Sequence, residues 1–146
     1  MLIHVPVGLS VAVALLAPAV LMAWRRGVFP RRTWWLVLML QAVLLVGVVA
    51  AVHSGELAEQ SARRVVDVQL VDRHEDLATG FAVLALITTV LSLAASLAPE
   101  PGRAHQLALA TVVAAVLQLG ACVVVSHAGG TVVWGPDGLV EQDAPP

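Results

Sequence analysis

The chain has no lysine, no tyrosine and a single cysteine, Cys122. Without lysine there is no Schiff-base chemistry, and without tyrosine no tyrosyl chemistry. A lone cysteine forms neither an internal disulfide nor a Cys-based metal site. Charge is scarce too: 12% of the 146 residues are charged and the net charge is −2. An average soluble domain is nearer a quarter charged. So little charge, and none of it clustered as a basic field, excludes a nucleic-acid binder. Phosphate loops, Gly-x-Ser-x-Gly elbows and Gly-x-Gly-x-x-Gly turns are also missing. What abounds is apolar: 59% of the residues are hydrophobic and the mean hydropathy is +0.88. The protein belongs in a bilayer, and its length leaves no room for a soluble catalytic domain beside the spans.

A hydrocarbon core of about 30 Å takes roughly 20 apolar residues as a helix. Four such runs are present, at about 2–24, 33–53, 77–98 and 106–126. They lack the period-two alternation of a membrane barrel. The expected fold is all-α: an integral membrane four-helix bundle with up-down-up-down topology, followed by an irregular tail over 131–146. The first run has no basic residue before it, unlike a cleaved signal peptide. Arg25, Arg26, Arg31 and Arg32 follow it instead, and Arg103 lies in the turn after the third run. Arginines flanking spans stay in the cytoplasm, so both termini and the 54–76 loop are expected outside. Trp24, Trp34 and Trp35 sit where an interfacial aromatic belt belongs. Pro99-Glu-Pro-Gly102 should end the third helix and make a tight hairpin with the fourth. No breaker interrupts 56–64, so the second and third helices can continue beyond the lipid.

Chemistry must come from the few remaining polar residues. No carboxylate lies deep in a span, which argues against a proton relay or ion pump. Gln41 and Gln118 fall near the bilayer middle, where an interhelical amide hydrogen bond is the plain reading and a quinone contact the sharper one. Ser10, Thr88 and Thr89 are expected to bond their own helix backbones. Of the five histidines, His4, His53, His74 and His127 fall at the outer face, one from each helix, and only His105 at the inner. Gly8, Gly80, Gly129 and Gly130 accompany them and would make room for a flat ligand. Imidazoles converging from separate helices suit a b-type haem or a transition metal. Arg63, Arg64 or Arg73 could pair with haem propionates. Two of these histidines would be axial ligands, with His74 and His127 preferred and His4 next. A non-haem ion would use three or four of these histidines, His4, His74 and His127 among them, with Glu75 or Asp76 as a further candidate ligand. The inner face offers only His105, so a complete transmembrane wire of two haems is not expected.

Several of these residues also carry a resemblance. His4-Val-Pro-Val-Gly-Leu9 resembles the His-Phe-Pro-Ile-Gly-Leu opening of a bacterial four-helix membrane family, domain of unknown function number 2231. Asp72-Arg73-His74 through Gly80 is similar to that family's start of helix three. His127-Ala-Gly-Gly130 with Val133-Trp134-Gly135 is similar to its His-x-Gly-Gly-x-Leu-x-x-Gly ending. The likeness spans nearly the whole chain and matches His4, His74 and His127. Val5 stands for the usual Phe, and the family's second histidine in the last motif is missing near Val133-Trp134. His53 has no firm counterpart. The family domain often accompanies cytochrome c or Rieske-type modules, which implies a redox setting. The expectation is a small redox subunit of a bacterial inner membrane, with one haem or metal ion at the outer end. It would exchange electrons with a periplasmic partner or quinone. The alternative is a cofactor-free accessory or assembly subunit.

Overall fold

A computed structural model describes residues 4–62 and 67–134, with side chains over 5–57 and 67–132. Four helices fill it: α1 (His4–Arg25), α2 (Trp34–Ala62), α3 (Val68–Leu97) and α4 (Pro101–Trp134). All four are long and apolar enough to cross a membrane. Each helix packs against the next, and α1 closes the ring on α4. Pairs at the ends set directions. Trp24 meets His105, Arg31 reaches Ala95 and Ser96, and His74 lies against Gly129. Each pair joins the start of one helix, or for Arg31 the turn just before α2, to the end of its neighbour, so neighbours run antiparallel.

The helices overrun the apolar segments. With 29, 30 and 34 residues, α2, α3 and α4 are all longer than the 22-residue α1. At 1.5 Å per residue α4 is about 51 Å long, well beyond a hydrocarbon core. Most of the anticipated 54–76 loop is therefore helix. Asp67 starts α3 as its cap, its side chain accepting a 2.9 Å hydrogen bond from the Gln69 amide. The tail was expected from 131, but α4 continues to Trp134, and 135–146 lies outside the described residues. α1 runs through Pro18 without a break.

Burial follows a strict repeat. On α4 the buried residues include Ala104, Ala108, Thr111, Ala115, Gln118 and Cys122. On α3 they include Phe81, Ala85, Thr88, Ser92 and Ala95, and on α2 Trp34, Val37, Gln41, Leu44 and Val48. Ser10, Val13, Ala17 and Val20 continue the pattern on α1. Alternating steps of three and four are the signature of left-handed bundle packing. The contents of that seam are unusual for water. Small and polar side chains make up most of it on α3 and α4, while Leu15, Leu36, Val46, Leu117 and Val123 are each more than 60% exposed. A water-soluble bundle with that surface would aggregate. In lipid the outer residues lose nothing by exposure, and small inner residues let backbones approach closely.

The arginine-bearing end is tied down by backbone chemistry. α1 stops in a Schellman motif: Gly27 adopts φ 72°, its amide donates to Trp24 O and that of Val28 to Ala23 O. α3 stops at Leu97 before Pro99, leaving carbonyls without helical donors. The Arg31 guanidinium supplies them, Nη2 donating to Ala95 O at 3.1 Å, to Ser96 O at 2.9 Å and to Ala98 O. A cation also suits the negative end of the helix dipole. Replacing Arg31 by Met should cost about 1.5–3 kcal/mol, the range for hydrogen bonds from a charged donor. Arg32→Met, exposed and one residue on, should cost under about 0.5 kcal/mol. Equal unfolding midpoints for the two variants in mixed micelles would contradict the cap.

Candidate functional site

Two polar features occupy the bundle. The first is central. Gln41 and Gln118 are fully buried, and Gln41 Nε2 donates to Gln118 Oε1 at 2.7 Å and to Ala85 O at 3.4 Å. One amide thus links α2, α3 and α4. Thr88, Thr89 and Thr111 bond carbonyls four residues back on their own helices. Ser10 departs from that expectation: it is buried, and its hydroxyl has no partner among the described residues. The Ser10 hydroxyl faces the seam on the inner stripe of α1, and no recorded bond returns it to its own backbone.

The second feature is the end that carries the histidines. His74 lies three residues after buried Val71, on the inward stripe of α3, and is half-buried. Its ring packs against Gly129 of α4. A Cβ at Gly129 would stand 3.0 Å from His74 Cε1, 3.5 Å from Nδ1 and 3.7 Å from Nε2. Glycine is needed here because the imidazole fills the space a side chain would take. Nδ1 of His74 is buried without a hydrogen-bond partner among the described residues.

The other histidines go elsewhere. His53 is exposed, and its Nδ1 lies 3.4 Å from Glu56 Oε2, one turn along its own helix. His127 is exposed as well. It precedes Gly129 by two residues, about 200° around the helix, so Gly129 and not His127 faces His74. The helix phase therefore does not deliver the expected His74–His127 pair. His4 opens α1, but its side chain lies outside the described residues. Among the described residues no three His, Cys, Asp or Glu side chains gather as a metal site. Of the four glycines expected to make room, only Gly129 does so. Gly8, Gly80 and Gly130 have no heavy atom within 4 Å of an added Cβ. Arg73 is exposed, and Arg63 and Arg64 lie outside the described residues.

The opposite end holds the fifth histidine in a fixed setting. His105 stacks on Trp24 with ring centroids 4.1 Å apart, and Trp24 leans on Trp34 at 6.2 Å. Its Nδ1 lies 3.0 Å from the Pro101 carbonyl, which can only accept, so Nδ1 carries the proton. Neither this stack nor the Arg31 cap follows from residue spacing alone, since each joins residues brought close only by the ring of helices. The inward stripes could have been read from the steps of three and four between Ala104 and Cys122, which continue by seven to Gly129. Comparison with family models, with curated proteins and with solved structures gave no match.

The glycine contact yields a direct expectation. Gly129→Ala should crowd the His74 ring and shift it by a few tenths of an ångström, costing about 1–3 kcal/mol by overpacking. Adding His74→Ala to Gly129→Ala should remove most of that penalty. Equal and additive losses in a double-mutant cycle would mean that the two residues do not touch.

Proposed function

We propose that the protein is a small membrane redox subunit holding one b-type haem or one transition-metal ion at the His74 end of its bundle. The observation that carries this reading is the His74 ring, seated in the α3–α4 seam with Nδ1 buried and without a partner among the described residues. A buried nitrogen without a partner costs about 1–3 kcal/mol, and a ligand that engages the ring recovers it. His4 is the companion ligand. It opens α1, which packs on α2 and α4 and so stands diagonally across the ring from α3. Ligands from diagonal helices are the usual way a bundle grips a cofactor near its axis. Buried Val71 and Phe81 flank His74 on α3 and furnish apolar walls. A bis-histidine haem would supply one-electron exchange.

The order of the three histidine motifs along the chain supports the same end of the bundle, through the resemblance to domain of unknown function number 2231. The arginine bias supports a reading in which their end lies in the cytoplasm of a bacterial inner membrane. His74 and both termini then face the periplasm, where a soluble redox protein or a quinone would be the partner. The exposure of His53 and His127 favours a second reading, a cofactor-free accessory subunit of a membrane complex, because it leaves only two histidines for a cofactor.

Protein purified in mild detergent from haem- and metal-replete cells separates the two. The redox reading expects a Soret band or about one metal ion per chain, lost in His74→Ala and His4→Ala and retained in His53→Ala and His127→Ala. Colourless, metal-free wild type overturns it and leaves the accessory role.

A further inference from the structure

The cleft between α1 and α4 at the arginine end belongs to neither reading. It measures about 270 Å³ and is lined by Leu21, Arg25, His105, Gln106 and Leu109. Its chemistry divides in two. Leu21 and Leu109 form an apolar wall, while Arg25, His105 and Gln106 offer a cation, an imidazole and an amide. Arg25 is exposed and forms no ion pair among the described residues. His105 is held by Trp24 and by the Pro101 carbonyl, and its Nε2 is buried with no partner there. Because Nδ1 keeps the proton, the Nε2 of a neutral ring is a lone-pair acceptor.

We propose that this cleft is a binding site for an anionic phospholipid of the phosphatidylglycerol type. The phosphate lies on Arg25 and the Gln106 amide. The His105 ring borders the headgroup, and the first part of the lipid's apolar body rests on Leu21 and Leu109. Three features point to a lipid over a free anion. The cleft pairs an apolar wall with a polar one, it opens between two spans at the membrane boundary marked by Trp24, and Arg26, Arg31, Arg32 and Arg103 make the same end electropositive. Arginine is the side chain best shaped to hold a phosphate.

The test is lipid binding to the full chain in an uncharged detergent, read by native mass spectrometry. The probes are phosphatidylglycerol, phosphatidylcholine and inorganic phosphate. Wild type should bind one phosphatidylglycerol about tenfold tighter than phosphatidylcholine. Arg25→Gln should weaken that first lipid about tenfold, and Gln106→Leu should weaken it as well. Arg26→Gln and Arg103→Gln, exposed but outside the cleft, should change it less than about twofold. All of these positions are exposed, so folding is preserved. Equal affinity for the two lipids overturns the proposal, as does an equal loss in all three arginine variants. Displacement of the lipid by millimolar inorganic phosphate overturns the lipid assignment.

Discussion

The hydrogen bond between Gln41 and Gln118 is the polar link on which the arrangement of helices depends. Lipid tails are as apolar as leucine, so burying leucine between helices gains little in a membrane. What holds such helices together is close approach and the few polar contacts that cross between them. Here close approach comes from alanine, serine and threonine on the inner stripes, and the polar contact comes from one amide pair. The Gln41 amide also reaches the Ala85 carbonyl on α3, which fixes the phase of three helices at once.

From that centre the two ends diverge. The arginine end is closed by local chemistry: the Gly27 stop, the Arg31 cap on α3 and the stack of Trp34, Trp24 and His105. Its remaining polar groups line a cleft open to lipid. At the other end, helices of unequal length outlast α1, and the packed seam finishes on His74 against Gly129. One end thus anchors, and among the described residues the other presents one inward imidazole, His74. That asymmetry is what the proposed cofactor site at the His74 end rests on.

Much of the fold could be read before any coordinates. Apolar runs of about 20 residues define four helices, Pro99 ends the third, and the lack of a breaker over 56–64 allows helix beyond the lipid. The Gln41–Gln118 bond was legible because amides at mid-depth have few alternatives. Facing was harder. In a soluble bundle apolar residues mark the inner stripe, but here both faces are apolar, and only on α3 and α4 is the inner one marked by small size. The sequence therefore groups the histidines by depth along their helices and not by angle around them. Depth places His53, His74 and His127 at one end. Angle separates them, since two residues along α4 exchange Gly129 for His127. The Arg31 cap and the His105 stack depend on contacts across the ring, which no local pattern encodes.

The most direct measurement is a double-mutant cycle on Gln41→Leu and Gln118→Leu, with unfolding followed in bilayer-like bicelles. Each single change strands a buried amide, so each should destabilise the bundle. The double variant should lose less than the sum of the two, with a coupling near 0.6 kcal/mol and at most about 1.7 kcal/mol, as for interhelical hydrogen bonds in membranes. Strictly additive losses would contradict the account, because the helices would then be held in register by something other than this pair.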